Sequence, residues 1–420
     1  MTSASDLSAA SDPVLGRDRI GELDIIRGLA LFGVLWMNMF GYFDYIVSDE
    51  RVVHLFGETL DRYVGLVGTW LVHGKAQALF SLLFGFGFAV LSDRAEARGA
   101  NAGAIYLRRV LILLAVGVAH LLLIFAGDIL HAYALMGLVL MMTRRWPSKL
   151  LLVPGLILAI ASGAAATLWF VATTPAGEAP AVFALLEAGM TRRWDVMLGQ
   201  DYAAFVRENL TMAGPEFYYS PLGYSLLGTI LGRFLLGAWI YRQGWLQDTA
   251  RYAAGFRRAL PWLLTLGLGM AAAGPLMEVL DLAARGPVGL GLELVTGASQ
   301  LVLALGYGCG IVVLCRSDAG RSRLSGLGAV GQMALTNYLA HSLVYLFVLN
   351  GFGLGLLTYS GPTVLTLLAV GVFALQIVFS RWWLARFRFG PLEWLWRSAT
   401  YGRWQPFRVT RVAEPTPAAS

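Results

Sequence analysis

Residues 106–143 read "YLRRVLILLAVGVAHLLLIFAGDILHAYALMGLVLMMT", and this stretch decides the fold class. It contains two apolar runs, near 106–126 and 128–143, with Gly127 between them. A helix of about 20 apolar residues crosses the roughly 30 Å of hydrocarbon in a bilayer. We therefore predict two membrane-spanning helices here, and the chain must reverse its direction at Gly127 almost at once.

The rest of the chain repeats this pattern. Of the 420 residues, 57% are hydrophobic and 14% are charged, a composition that excludes a single soluble domain with one apolar core. The sequence predicts an all-α protein, a polytopic transmembrane helical bundle with about 10 transmembrane helices. The predicted spans lie near 25–43, 74–92, 106–126, 128–143, 149–173, 220–241, 259–281, 288–315, 327–350 and 362–384.

The placement of the basic residues predicts the orientation of the bundle. Cytoplasmic loops of membrane proteins carry an excess of Lys and Arg, and most of the 32 basic residues fall on one side if both termini are cytoplasmic. The outer loop 174–219 is long enough to be exempt from that rule. Topology thus explains the net charge of +6, so the lipid bilayer is a predicted partner and nucleic acid is not.

The domain organisation follows from these spans. Residues 1–20 and 409–420 are predicted to be disordered tails. Between them we expect an N-terminal transmembrane half at 21–173, an outer loop at 174–219 and a C-terminal transmembrane half at 220–408. Apolar residues in the outer loop recur at helical spacing, which predicts an interfacial helix. That helix fits either a lid over an outward-facing site or a surface element with no chemical role.

Motifs of soluble enzymes are absent from the sequence. No pair of histidines has the spacing of a metal-binding helix motif, so we predict no metal. The glycine-rich segments "GFGF" (85–88) and "GYGCG" (306–310) lie inside predicted spans, where small residues let helices approach closely. The informative residues are therefore the polar ones inside the predicted membrane segments, because such residues are costly there and usually functional.

Several of these polar residues reach one level in the outer half of the membrane, at a rise of about 1.5 Å per residue. This placement predicts a shared polar cavity, although helix ends are polar by chance as well. The residues are Asn38, His73, Lys75, Asp128, His131, Asn337 and His341. Arg233 lies nearer the inner half, where it must pair, face water or bind an anion.

Each residue also has a purely structural interpretation. Asp128 begins a predicted helix and could cap its first turn. His131 lies on the same helix face, where Asp128 could hold it as a general base. Tyr133 points elsewhere and is typical of packing. Asn38 could bond a neighbouring helix, and Lys75 could extend its ammonium group to the interface.

Five sequence blocks carry a resemblance to a known family. They read "LDIIRGLALFGVLWMN" (23–38), "HGKAQALFSLLFGFGF" (73–88), "GDILHAYALMG" (127–137), "GQMALTNYLAHSL" (331–343) and "GPLEWLWRSATYGRWQPF" (390–407). Together, and in this order, they resemble the YeiB family of bacterial inner-membrane proteins. The resemblance covers about residues 20–408. It implies a multi-pass protein of the bacterial inner (plasma) membrane, whose C-terminal half is a domain of unknown function.

The N-terminal half is distantly similar to membrane acyltransferases of the heparan glucosaminide acetyltransferase type. The shared pattern is Asp24, Arg27, Gly28 and Asn38, and many members of the broader group have a histidine where this chain has Asn38. The resemblance implies transfer of an acyl group from cytoplasmic acyl-CoA to an extracytoplasmic acceptor such as a sugar or an envelope component. No tightly bound cofactor is expected, since acyl-CoA would be a co-substrate.

This hypothesis gives the polar residues definite roles. The catalytic candidates are His131, His73, Lys75 and Asp128. The substrate-binding candidates are Asn38, Asn337, His341 and Arg233. An inner basic mouth would attract the phosphates of coenzyme A, and it would comprise Arg27, Arg108, Arg109, Arg144 and Arg145.

Two other classes of protein stay open on the sequence alone. A transporter or flippase would also place polar groups and Arg233 at the centre of its bundle. The sequence shows no inverted repeat and no paired helices broken by Gly or Pro, which are typical of transporters. The third class is a non-catalytic membrane scaffold.

Overall fold

The computed structural model describes residues 21–44, 51–175, 180–282 and 286–409, with no description of the side chains of 41–44. Nearly all of the two tails that the sequence predicts to be disordered lies outside these residues. Within the described part, regular structure is helical, apart from one isolated antiparallel bridge between Phe387 and Arg408. The prediction of an all-α polytopic bundle is confirmed.

The N-terminal half contains six helices in the described residues. They are α1 (Gly21–Asp44), α2 (Glu58–Leu71), α3 (Lys75–Ala97), α4 (Ala102–Leu123), α5 (Leu130–Met142) and α6 (Ser148–Thr173). The outer loop and the C-terminal half contribute the remaining ones. They are α7 (Ala181–Leu198), α8 (Tyr202–Phe217), α9 (Pro221–Arg242), α10 (Ala253–Ala271), α11 (Ala273–Val279), α12 (Gly286–Leu314), α13 (Asp318–Gln332), α14 (Ala334–Val344), α15 (Pro362–Leu384) and α16 (Pro391–Tyr401).

Eight stretches within the described residues are long and apolar enough to cross a membrane. The other two predicted spans correspond to shorter apolar helices, Leu130–Met142 and Ala334–Leu349, the second of which continues α14 through a π-helical turn. The ten predicted spans therefore correspond to these eight candidate spans and two shorter apolar helices, so about ten is an approximate number of transmembrane helices. The chain is a multi-pass membrane protein.

The second predicted span has a different form from the one expected. The sequence predicts it at 74–92, but α2 and α3 form one candidate span, Glu58–Ala97, interrupted at 72–74. The first turn of α2 lies at the outer end of α15, where the Asp61 carboxylate accepts the Thr363 N–H at 2.8 Å. Ala76, at the start of α3, packs against Gly33, which is halfway along α1. The interruption therefore lies near the middle of the membrane.

The ninth predicted span, 327–350, is wrong in its first part. The helix breaks at Met333, and the preceding helix α13 packs against α1. The reason is a distant carboxylate: Oε1 of Glu393 accepts the N–H groups of Leu335 at 2.6 Å and Thr336 at 3.0 Å. These groups belong to the first turn of α14, which has no helical acceptor for them. Glu393 therefore fixes where α14 begins.

The outer loop contains two helices where the sequence predicted one. The break follows Gly199, and the side chain of Asp201 caps α8 by accepting the Ala204 N–H at 3.0 Å. Helix α8 lies across the outer end of α4, because Tyr202 donates to the carbonyl of Leu123 at 2.6 Å. The loop thus covers one end of the bundle.

Candidate functional site

The connection between α4 and α5, residues 124–129, places a carboxylate in a buried position just beyond the spanning segments. Asp128 is fully buried. Its Oδ1 accepts hydrogen bonds from Nδ1 of His120 at 2.7 Å and from the hydroxyl of Tyr338 at 3.1 Å. Its Oδ2 accepts from Nδ1 of His131 at 3.0 Å. We call these four residues the carboxylate–histidine cluster.

The local sequence explains why Asp128 lies there. Its Oδ2 also accepts the backbone N–H of His131 at 3.1 Å, so the carboxylate caps the first turn of α5. The predicted cap is confirmed, and so is the contact between Asp128 and His131 on one face. Gly117 of α4 allows α5 to pack closely against α4 where the chain reverses. A Cβ at this position would lie only 2.4 Å from the His131 backbone nitrogen.

Sequence reasoning missed His120 and Tyr338. His120 belongs to the last turn of α4, within an apolar run, and an ionisable residue in such a run is the same signal that singled out His131. Tyr338 is 210 positions from Asp128, and no local pattern relates the two residues.

The hydrogen bonds assign a protonation state to the cluster. Burial raises the pKa of Asp128, but the hydrogen bonds from His120 and His131 outweigh it and hold the pKa below its ordinary value. Because a charged carboxylate only accepts hydrogen bonds, each Nδ1 carries the proton that is donated to Asp128. Both Nε2 atoms are buried and have no hydrogen-bond partner within the described residues.

The outer helix α8 closes the cluster from above. The ring of His131 makes edge contacts with Phe217 at 4.7 Å and with Tyr218 at 5.8 Å between centroids. Burial, and then the charge of Asp128, raise the pKa of Tyr218 to about 12, so this hydroxyl stays protonated. The cluster is therefore shielded from the outer solution by aromatic side chains.

A cavity of about 220 Å³ lies on the opposite side of the cluster. At its upper end Tyr133, Leu130 and Tyr338 line it, and Tyr338 is the residue that donates to Asp128. At its lower end the lining includes basic side chains, namely Arg27, Arg109 and Arg397. The cavity thus extends from arginines on the predicted cytoplasmic side to Tyr338, and Glu393 also lines it.

Only some residues of the predicted basic mouth line this cavity. Arg27 and Arg109 line it, whereas Arg108, Arg144 and Arg145 do not. Arg144 instead forms an ion pair with Glu96 at 3.3 Å. Arg397 comes from α16 and was not among the predicted site residues.

Helix α16 also fixes the position of Arg109. The guanidinium of Arg109 lies 3.8 Å from the centroid of the Trp396 ring, and the Trp396 indole donates to the Arg109 carbonyl at 3.0 Å. These contacts hold the cation at the wall of the cavity.

The other predicted site residues do not join the carboxylate–histidine cluster, so the expectation of one shared cavity is wrong. Lys75 lies at the mid-membrane break, where Nζ donates to the carbonyl of Thr69 at 2.8 Å. His73 is exposed. Asn38 lies on α1, with its amide nitrogen buried and without a hydrogen-bond partner in the described residues.

His341 and Asn337 lie at the interface of α14 and α15. Nε2 of His341 is 2.7 Å from Oε1 of Gln376, whose amide donates to the carbonyl of Asn337 at 3.0 Å. The amide of Asn337 donates to Ser380 at 3.0 Å. Because α14 begins at Ala334, Asn337 is the fourth residue of its helix and His341 is the eighth.

Arg233 is the centre of a second polar group. It is fully buried and donates to Oε1 of Gln77 at 3.3 Å and to Oε1 of Gln300. No carboxylate in the described residues pairs with it, and its Nε has no partner there. Tyr133, which we expected to be a packing residue, lies beside this group and shares a 2.6 Å hydrogen bond with Ser81.

These features define a class: a multi-pass helical membrane protein with a buried carboxylate that holds two histidines above a basic cavity. Comparison with known proteins gives the family. Residues 240–403 match the family described as "Protein of unknown function (DUF418)". The chain is 33% identical over 417 residues to the "Uncharacterized protein YxaH" of Bacillus subtilis (strain 168), with 95% of this chain and 99% of the relative covered. The chain therefore belongs to this YeiB-like family, as the sequence blocks predicted.

Two more relatives match over nearly their full length. The "Uncharacterized protein YeiB" of Escherichia coli (strain K12) is 29% identical over 405 residues, covering 91% of this chain and 96% of the relative. The "Uncharacterized 39.9 kDa protein in amylase 3'region" of Bacillus acidopullulyticus is 26% identical over 406 residues, covering 96% and 100%. The matched domain at 240–403 contains Tyr338 and Arg397, whereas Asp128 and both cluster histidines precede it.

Proposed function

We propose that the chain is a transmembrane acyltransferase of the bacterial inner membrane. It would move an acyl group from cytoplasmic acyl-CoA to an extracytoplasmic acceptor such as a sugar or an envelope component. The observation that carries the proposal is the buried Asp128 carboxylate holding two histidines, each with a buried Nε2 that has no hydrogen-bond partner in the described residues. A carboxylate that fixes the orientation of an imidazole in this way is typical of a general base.

The cavity suits the donor. Arg27, Arg109 and Arg397 are cations at its lower end, where the phosphates of coenzyme A would bind through charge-assisted hydrogen bonds. The side chains between the two ends are largely apolar and aromatic, and Phe84 and Phe88 are among them. Such walls fit a pantetheine arm, whose thioester would then approach Tyr338.

The acceptor would enter from the outer side, where Phe217 at the end of α8 and the following Tyr218 cover His131. Movement of α8 would open this side. Of the two interpretations of the outer loop, a lid or a surface element, the proposal therefore uses the lid. Exclusion of water by such a cover protects a thioester from hydrolysis.

The reaction would then proceed as direct acyl transfer. Nε2 of His131 takes the proton from the acceptor hydroxyl or amine, and the acceptor atom attacks the thioester carbon. A new C–O or C–N bond forms, the C–S bond breaks, and the coenzyme A sulfur leaves and receives a proton. Asp128 stabilises the imidazolium that exists during transfer, and His120 keeps the carboxylate in place on its other oxygen.

Release of free thiol from acetyl-CoA by the purified full-length protein tests the proposal, with glucosamine as the probe acceptor. General base catalysis contributes about 10²- to 10⁴-fold, so His131→Ala should lower the rate by at least about 100-fold. His341→Ala is the matched control, because it removes an equally buried histidine that contacts Gln376 and not Asp128. Absence of acetyl-CoA binding, or equal rates in the two variants, contradicts the proposal.

A transporter is the second candidate, and one observation favours it. The span formed by α2 and α3 is interrupted near mid-membrane, and Gly74 there adopts φ of +74° beside the amide of Gln300. Non-helical backbone at this depth is found in transporter sites, and here it lies next to Arg233, which pairs with no carboxylate in the described residues. Accumulation of a substrate in proteoliposomes without any thioester would favour this class, whereas a requirement for acyl-CoA would favour the enzyme.

A further inference from the structure

A second cavity, of about 410 Å³, lies in a different part of the bundle. It is bounded by α9 and α10, with α3 and α12 behind it. Its wall is formed by apolar side chains such as Leu79, Leu263 and Ala304, and at Trp245 and Phe256 it reaches the connection between α9 and α10. We call this end, where Trp245 is exposed, the mouth. No charged side chain lines it in the described part of the chain.

The shape of this cavity fits a hydrocarbon chain. Along α12 its lining runs from Ala304 to Val312, which corresponds to a depth of roughly 12 Å at 1.5 Å per residue. Its volume is in the range of small-molecule sites, about 300–1,000 Å³. An apolar cavity of this kind takes apolar occupants and stays free of water, so a flexible chain that enters lengthwise would bury apolar surface along this depth.

The mouth carries positive charge. Arg251, Arg257 and Arg258 flank the mouth residues in sequence, and all three are exposed. The guanidinium of Arg251 lies 5.6 Å from the ring of Tyr252, which itself lines the cavity. This end of α10 is on the side that the excess of arginine assigns to the cytoplasm, where basic groups between transmembrane helices attract anionic lipid headgroups.

We propose that this cavity binds an acyl chain of an anionic glycerophospholipid from the inner leaflet. The chain lies between α3 and α12, and the phosphate lies at Arg257 and Arg258. The site is separate from the carboxylate–histidine cluster, since the two cavities share only Leu83 among their lining residues. The proposal therefore stands independently of acyl transfer.

One variant fills the cavity without disturbing the helices. A Cβ at Gly308 would meet only the Leu79 side chain, at 3.7 Å, so Gly308→Leu should project into the cavity. Gly269→Leu is the matched control, because Gly269 has no atom within 4 Å of an added Cβ and does not line the cavity. If Gly308→Leu does not fold, Gly255→Trp at the mouth replaces it, since Gly255 also has open space around it.

The experiment is native mass spectrometry of the full-length protein titrated with dioleoylphosphatidylglycerol, and separately with dioleoylphosphatidylcholine. We expect one tightly bound phosphatidylglycerol, with affinity at least about tenfold lower in Gly308→Leu and unchanged in Gly269→Leu. The double variant Arg257→Gln/Arg258→Gln should bind the two lipids equally. Arg316→Gln/Arg323→Gln, which removes the same charge elsewhere on the inner face, should keep the preference for phosphatidylglycerol.

Equal binding by Gly308→Leu and Gly269→Leu would overturn the cavity as the site. Equal affinity of the unmodified protein for the two lipids, or retention of a neutral lipid alone, would overturn the anionic headgroup. Thiol release from acetyl-CoA, measured on the same variants, separates this proposal from the catalytic one, because loss of lipid binding leaves the carboxylate–histidine cluster intact.

Discussion

Nδ1 of His120 lies 2.7 Å from Oδ1 of Asp128, and both side chains are buried where α4 ends and α5 begins. The other carboxylate oxygen holds His131 at 3.0 Å. One carboxylate thus orients two imidazoles and also caps a helix. A change at Asp128 should therefore affect stability and activity through two separate contacts.

Asp128→Asn should lower both the stability of the protein and its activity. An asparagine has one acceptor oxygen, so one imidazole N–H loses its partner, and an unsatisfied buried donor costs about 1–3 kcal/mol. We also expect thiol release from acetyl-CoA to fall by at least about 100-fold, because a neutral amide does not stabilise the imidazolium that forms during transfer. Thermal unfolding in detergent and the rate of thiol release measure the two effects.

Asp201→Asn is the control for that substitution. Asp201 also caps a helix, but its carboxylate is exposed and caps α8 outside the cluster. Since asparagine is nearly as good an N-cap as aspartate, this variant should keep the unfolding temperature and the rate. A loss of activity in both variants would indicate a general effect of removing an acidic group.

The pH dependence of stability should also identify Asp128. Its pKa is lower in the folded protein than the ordinary value of 3.8. Its stabilising contribution is therefore complete above the unfolded pKa and is lost as the pH falls through the lower, folded value. Unfolding temperatures of the unmodified protein should fall below about pH 4, and Asp128→Asn should show a smaller fall. Parallel pH profiles for the two proteins would show that Asp128 is not the group responsible.

The sequence predicts the spans well because their signal is local. A run of about 20 apolar residues needs no partner to be recognised, which is why 106–126 and 149–173 coincide closely with α4 and α6. The break at Met333 has a non-local cause, since the Leu335 N–H donates its hydrogen bond to Glu393, 58 positions away in the sequence. An apolar run alone cannot reveal a helix start that depends on such a contact.

The same distinction explains the candidate site. Asp128 and His131 are three residues apart, so helical geometry alone predicts that they meet. His120 reaches the carboxylate only because two antiparallel helices pack closely, and Tyr338 only because α14 begins at Ala334. Lys75 and His341 do not reach the predicted level for the same reason, because the helices that carry them begin at Lys75 and Ala334 and are not continuous across the membrane.

Close packing of α4 on α5 should itself be testable. A Cβ at Gly117 would lie 2.4 Å from the backbone nitrogen of His131, so Gly117→Ala should push α5 away and destabilise the protein by about 1–3 kcal/mol. Gly103→Ala, in the first turn of the same helix, meets only the Asn101 side chain at 3.4 Å. Unfolding temperatures should therefore fall for Gly117→Ala and stay unchanged or rise for Gly103→Ala. Equal values would show that α4 and α5 can separate without cost.

The donor cavity can be filled from a glycine that faces open space. Gly87 of α3 lines the cavity beneath the carboxylate–histidine cluster, and an added Cβ there meets no atom within 4 Å. Gly87→Leu should therefore preserve the fold while occupying volume that the acyl-CoA needs. We expect the KM for acetyl-CoA to rise by about tenfold or more, with a smaller change in kcat, since the side chain opposes binding and leaves Asp128 and its histidines in place. Gly269→Leu, which adds the same side chain outside this cavity, should leave both constants unchanged. An unaltered KM in a folded Gly87→Leu variant would place the donor elsewhere in the bundle.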